Sequence, residues 1–341
     1  MPSRIVVFAG AGASKAVNPK QFPTTVEFFE RLPKSIVDNK HFDFVMRYLK
    51  GSLGERQIDI EHVLWGLQEF YSIFSDLQLR KGPLGFALGQ NALHLASPSY
   101  NFGHLQNASP ILAGGFRDII DQINQKVYDF YAEEPSQSEL SGNWMELIEG
   151  VRGWRDRVDI FTTNYDSVIE AALVCLDGDG TARLDCGIAG TLRQKLNFDY
   201  WTDDSKGEDI LLTKLHGSLD WKYAGKGVAV GDAVFTGDHE KQAIVYPGFK
   251  GSSDAVFFPI FHEYLRRAVS ESDIVIFIGF AFRDEHINEI FRDALDTRTR
   301  IISINPDSEA NLPIGRVEPL YLRDGFGPKT IRAALAEAFA D

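Results

Sequence analysis

Five short apolar runs, largely β-branched and each closed by a glycine or a small polar residue, constrain this 341-residue chain more than any other feature. They are RIVVFAG at 4–10, VDIFTTN at 158–164, ILLTKLHG at 210–217, DIVIFIG at 273–279 and RIISINP at 300–306. Continuous apolar runs of this length suit strands buried on both faces, as parallel strands are. Helix-period patterns lie between and after them: SVIEAALVCL from Ser167, PIFHEYLRRAVSE from Pro259, DEHINEIFRDALD from Asp284 and KTIRAALAEAF from Lys329. This alternation predicts a doubly wound α/β parallel sheet, a fold that binds ligands outside the carboxyl ends of its strands.

The middle of the chain has another period. HFDFVMRYL, DIEHVLWGLQEFYSIF and ILAGGFRDIIDQINQKVYDFY carry apolar residues at helical spacing without a comparable strand run between them. A helical insertion over 36–149 is therefore expected, framed by a sheet domain of 1–35 and 150–341. Within it, the Gly/Pro/Ser-rich stretch at 81–110 predicts a long loop, and 224–258 predicts a hairpin-bearing loop region. The aromatic supply, 25 Phe, 11 Tyr and 5 Trp, suffices for cores in both parts.

Charge and cysteine content narrow the function classes. With 35 Lys and Arg against 48 Asp and Glu, the net charge of −13 disfavours an extended nucleic-acid surface, so direct nucleic-acid binding is not expected. The two cysteines, Cys175 and Cys186, are too few for a disulfide framework and wrongly spaced for a zinc ribbon. No metal site is expected. A basic-then-apolar leader and an apolar run of roughly 18 residues are both absent from the sequence, which points to a cytoplasmic protein without a membrane partner.

The chemistry-bearing residues gather where the runs stop. After the first, Gly10, Ala11, Gly12, Ala13 and Ser14 form a turn in which missing side chains let backbone N–H groups approach a phosphate. The same glycines can serve only strand–helix packing. Lys15 stands where a dinucleotide fingerprint wants a third glycine, so an ordinary hydride-transferring dehydrogenase is disfavoured. In TTNYD, Thr162 to Asp166, Asn164 can hold a ribose hydroxyl or a water, and Asp166 can orient an amide or simply cap a helix. In KLHGSLDW, His216 is suited to removing a proton from a hydroxyl. The other seven histidines, His41, His62, His94, His104, His239, His262 and His286, are read as structural. In GFAFRDEHIN and SINPD, Gly279 and Asn305 can face a nucleotide, Asp284 can cap its helix, and Arg283 can meet a phosphate or a surface acid.

Taken in this order, these five stretches resemble the Sir2 superfamily. The KLHGSLDW and GFAFRDEHIN variants look like its bacterial branch associated with anti-phage defence. The resemblance implies a Rossmann-like NAD+ site: Gly10, Ala11, Gly12, Ala13 and Ser14 at the pyrophosphate, Asn164 and Asp166 as catalytic residues at the nicotinamide ribose and nicotinamide, and Thr163 among the cofactor-binding residues. It further implies His216 as general base, with Gly279, Phe280, Asp284 and Asn305 completing the cofactor-binding set. Deacylases of the family carry a four-cysteine zinc module, which two cysteines cannot form. With no acyl acceptor, water captures the ribosyl cation, and NAD+ becomes the substrate of a glycohydrolase giving nicotinamide and ADP-ribose. The alternatives are a non-hydrolysing NAD+ or ADP-ribose sensor, and a deacylase or ADP-ribosyltransferase. The resemblance also implies a homo-oligomer with a HerA-type ATPase, or a short Argonaute, as partner.

Overall fold

Strand β1 (Arg4–Ala9) is wholly buried and sends alternate side chains to opposite faces. Val6 and Phe8 enter one apolar layer, while Ile5, Val7 and Ala9 enter the other. It lies in register between β2 (Arg157–Thr162) and β10 (Ile274–Ile278), with Val7 opposite Ile160 on one side and Ile276 on the other. The sheet extends through β6 (Ile210–Lys214) and the two-residue β3 (Leu184–Asp185) on one flank, and through β11 (Arg300–Ile304) and β12 (Leu320–Leu322) on the other. Its order is β12-β11-β10-β1-β2-β6-β3, and every pairing is parallel. The computed structural model describes residues 4–54, 58–79, 102–152, 157–176, 184–185, 188–189, 195–196, 210–224, 227–231, 233, 237, 242–244, 257–307 and 318–340.

All five predicted runs are strands of this sheet, and helices cover both faces, so the chain has the predicted doubly wound α/β fold. One face is covered by α10 (Phe257–Ser270) and α11 (Glu285–Ala294), through Phe261, Tyr264, Ile290 and Phe291. On the other face lie α1 (Ala11–Val17), α7 (Gln137–Leu140), α8 (Trp144–Arg152), α9 (Val168–Leu176) and α12 (Pro328–Ala338). The sequence jumps from one side of β1 to the other between β6 and β10, which makes the β1/β10 boundary the switch point of the sheet.

A separate core belongs to α2 (Thr25–Glu30), α3 (Lys34–Val37), α4 (Lys40–Leu53), α5 (Ile60–Leu79) and α6 (Phe102–Tyr131). Packing divides the chain somewhat differently from the expected 36–149 insertion: Phe28 and Leu32 already join the helical core, whereas Trp144, Leu147, Ile148 and Val151 pack on the sheet. The spacing of those four residues is one helix face, and that face meets the sheet layer. Residues 102–110, expected within a loop, are the start of α6, which carries Pro110 inside it. The remainder of that loop, with His94, lies outside the described residues, as do His239 and Cys186.

A small second sheet of order β4-β5-β8-β7-β9 is built from β4 (Ile188–Ala189), β5 (Lys195–Leu196), β7 (Gly217–Ala224), β8 (Gly227–Val230) and β9 (Gln242–Ile244). Its β7/β8 hairpin begins at Gly217, upstream of the predicted 224–258 region, most of which lies outside the described residues. Tyr128 of α6 ties the helical core to this sheet by donating to the Leu219 carbonyl and to Gln242 Oε1 at 2.9 and 2.7 Å. Among the described residues, no helix is long and apolar enough to cross a membrane.

Candidate functional site

Two strand-end turns meet at the switch point. The Gly10 amide donates to the Ile278 carbonyl at 2.9 Å, and the Gly12 amide to the Gly279 carbonyl at 3.0 Å. A Cβ on Gly10 would stand 2.7 Å from the Gly279 oxygen, and one on Gly12 would stand 2.8 Å from the Gly279 Cα. Gly279 itself adopts φ +57°, and its Cβ would meet the Ala13 nitrogen at 2.4 Å. Contact between the two turns thus accounts for all three glycines. It also engages the Gly10 and Gly12 amides, while the Ala13 amide turns back to the Gly10 carbonyl at 2.9 Å. The Ala11 amide, first in α1, has no backbone acceptor among the described residues.

The TTNYD stretch locks onto this turn. Thr162 Oγ1 donates to the Ala9 carbonyl at 3.1 Å and accepts the Asn164 amide at 3.0 Å. Asn164 Nδ2 then donates to the Gly10 carbonyl at 3.0 Å and to Ser14 Oγ at 2.9 Å. The Ser14 hydroxyl is in turn bonded to the Asp166 carboxylate, whose Oδ1 accepts the Val168 amide at 3.1 Å at the start of α9. Burial raises the Asp166 pKa, opposed by Lys214, the Ser14 hydroxyl and the Val168 amide. Lys214, 2 % exposed, sits behind the loop, donating to the Asp166 carbonyl and, at 2.7 Å, to Glu170 Oε1. Burial lowers its pKa, but the nearby carboxylates of Glu170, Asp220 and Asp166 outweigh this and hold it above its ordinary value.

His216 lies in the two-residue turn between β6 and β7, immediately before Gly217, whose φ of +82° and close approach to the Ala243 carbonyl admit no side chain. His216 Nε2 lies 3.2 Å from Asp284 Oδ2, and the other Asp284 oxygen caps α11 by accepting the His286 and Ile287 amides at 3.0 and 3.2 Å. Burial raises the Asp284 pKa, but the His216 hydrogen bond and charge and the Ile287 amide outweigh it, so the group remains ionised. An ionised carboxylate accepts only, so the His216 Nε2 that faces it carries a proton. Nδ1 is buried with no hydrogen-bond partner among the described residues. The chain reaches Asp284 through Phe282 at φ +55°, a strained conformation for a bulky residue, held by Asn288 Nδ2 donating to the Phe282 carbonyl at 2.8 Å. Asn305 braces the neighbouring turn: its Nδ2 donates to the Phe280 carbonyl at 2.9 Å and its Oδ1 accepts the Asp307 amide at 3.0 Å.

These groups surround a cavity of about 570 Å³, within the range of small-molecule and cofactor sites. Ala11, Gly12, Ser14, Thr163, Asn164, Asp166, His216, Gly279, Phe280, Asp284 and Asn305 line it, whereas Gly10 and Ala13 support it from behind. The opposite wall comes from the helical core and carries no sequence motif: Asp59, Ile60, Glu61 and Leu64 at the start of α5, and Val127 and Tyr131 of α6. Tyr165 donates to Glu61 Oε1 across a long 3.4 Å contact, and Asp59 Oδ1 holds His62 Nδ1 at 2.7 Å. Arg283 also lines the cavity, and Lys15, another lining residue, pairs with Glu27 at 2.7 Å. The acids of α5 sit in a stretch whose visible pattern is that of an amphipathic helix, so only their place in the fold reveals them.

A family model for the SIR2-like domain matches residues 158–313, the segment that holds Asn164, Asp166, His216, Gly279, Asp284 and Asn305. The chain is similar to a solved triple mutant of a Sir2 homologue in complex with 2'-O-acetyl ADP ribose, at 14% identity over 100% of this chain and 95% of that one, with a TM-score of 0.43. It is likewise similar to a Sir2 homologue–NAD complex, at 14% identity over 99% and 91% of the two chains, with a TM-score of 0.41. No curated protein matches the sequence.

Proposed function

We propose that this protein is an NAD+ glycohydrolase, cleaving NAD+ and water to nicotinamide, ADP-ribose and a proton. The observation that carries the reading is the His216–Asp284 pair on the cavity that Asn164 and Ser14 also line. Breaking the N-glycosidic bond gives the ribose oxocarbenium character. A base that takes a proton from a ribose hydroxyl or from the attacking water assists this step. Asp284 then stabilises the imidazolium at Nε2, as the carboxylate does in other His–Asp pairs. The fit to NAD+ is supported by the Ala11 amide at the turn, which is able to donate to a phosphate oxygen. Two cysteines in the whole sequence favour water as acceptor over the acyl-lysine of zinc-bearing relatives.

On this reading, and following the sequence resemblance, the enzyme depletes NAD+ in anti-phage defence in the cytoplasm. It works as a homo-oligomer beside a HerA-type ATPase, with any nucleic-acid contact left to the partner. The test follows NAD+ loss and separates nicotinamide from ADP-ribose by chromatography, for wild type and His216→Ala, with and without a HerA-type ATPase. His216→Ala is expected to lower cleavage by about 10²–10⁴-fold with an unchanged circular dichroism spectrum. Full activity in that variant would overturn the site, and NAD+ consumption that depends on an acyl-lysine peptide would replace hydrolysis by deacylation.

A further inference from the structure

Glu61 reaches the cavity from α5, outside the sheet and outside every motif of the sequence. It faces the end of the cavity where His216 and Asp284 stand: Tyr165, whose hydroxyl donates to Glu61 Oε1, lies with its ring 6.4 Å from that of His216. Around Glu61 are Asp59 with its partner His62 on the α5 side, Asp284 and Arg283 before α11, Tyr165, and Tyr131 from α6, while Lys15 and Glu27 near α2 hold each other. Asp59 and Asp284 are both held ionised, with pKa values below the ordinary carboxylate. Burial first, then those two negative neighbours, push Glu61 well above the usual carboxylate range, against Tyr165 and Arg283. Placement in the first turn of a helix, which ordinarily favours a carboxylate, does not reverse this.

A carboxylic acid presents one O–H donor and one C=O acceptor side by side, whereas a carboxylate only accepts. A primary carboxamide presents the complementary pair, one acceptor and a donor NH2. We infer that Glu61 recognises the carboxamide of the nicotinamide leaving group, its acid O–H donating to the amide oxygen and its C=O accepting the amide N–H. The assignment rests on the NAD+ reading above and adds to it the group that grips the leaving half. Asp166, which the sequence resemblance puts at the nicotinamide, is engaged with Ser14 and the Val168 amide. The helical insertion thereby supplies a substrate contact, and the site is complete only when α5 is seated against the sheet.

The experiment titrates nicotinamide, with ADP-ribose prebound, into the full chain as wild type, Glu61→Ala and Glu61→Gln, from acidic to alkaline pH by calorimetry. Glu61→Ala is expected to weaken nicotinamide about tenfold and leave ADP-ribose affinity unchanged. Glu61→Gln, whose amide also offers a donor and an acceptor, is expected to bind near the wild-type level. Wild-type nicotinamide affinity falls as pH rises and the acid ionises, and in Glu61→Gln this fall is absent. Nicotinamide affinity indifferent to Glu61, or both ligands weakened equally in Glu61→Ala, overturns the assignment while leaving the NAD+ reading standing. So does a Gln variant as weak as Ala with ADP-ribose binding intact. Wild type that binds neither ligand overturns the NAD+ reading and this assignment together.

Discussion

The two walls of the cavity are held by different physics. The strand-end wall is fixed by backbone: three glycines in mutual contact, amides bonded across from one turn to the next, and the side chain of Asn164 clamped to the Gly10 carbonyl. The insertion wall is fixed by side chains, chiefly stacked rings, with Phe116 lying 5.6 Å from Phe74 and 5.8 Å from Phe70 between α5 and α6. A backbone-held wall has one geometry and tolerates no added atom. A wall held by its own apolar core can tilt as a body without undoing the sheet. Precision in the chemistry therefore belongs to the first wall, and adjustability to the second.

Gly279→Ala should be the most damaging change, because its Cβ meets the Ala13 nitrogen at 2.4 Å in a left-handed conformation. A loss of more than about 4 kcal/mol in denaturant unfolding is expected; a near-neutral outcome would show that the turns can separate. Phe116→Ala should cost about 3 kcal/mol, and hydrogen exchange should quicken in α4, α5 and α6 while β1 and β10 stay protected. Equal quickening in β1 would make the two regions one cooperative unit and end the contrast.

Glu61→Gln sharpens it through pH. A carboxyl whose folded pKa lies above its unfolded value contributes stability that is full below the unfolded value and is lost as pH rises through the folded one. Between those two values the wild type should lose up to about 1.4 kcal/mol per pH unit relative to Glu61→Gln; parallel stability curves would mean that the two states bind this proton equally. The smallest effect is expected from Thr24→Ala, which opens the reciprocal cap with Glu27 at the start of α2, at about 1 kcal/mol in thermal unfolding. A larger loss would tie that entry turn to the sheet.

The same division decides what could be read from the sequence. All five predicted strands formed, because an apolar run buried on both faces has few other places to go. Their ends converge because parallel strands all finish on one side, which is why eleven predicted residues line one cavity. The two-residue β3 and three-residue β12 left no such run. Residues 102–110 read as loop from their glycine, serine and proline, yet lie in α6 together with the apolar stripe that follows. Asp284 was legible as a cap, but its second oxygen on His216 required the fold. Glu61 and Asp59 were illegible because nothing in an amphipathic helix distinguishes an acid facing a cavity from one facing water.

The position of β1 also governs how this protein is made. Its neighbours in the sheet begin at residues 157 and 274, so the first strand emerges from the ribosome with neither partner yet synthesised. At ordinary elongation rates, the apolar stretch Ile5–Ala9 waits roughly 13–55 s for Ile278. Meanwhile α2 to α6, whose core is made almost entirely of residues 28–128, are synthesised in full before β2 begins. The helical unit is thus positioned to fold as the N-terminal strand waits, and translation speed across residues 132–278 sets how long that strand is open to aggregation.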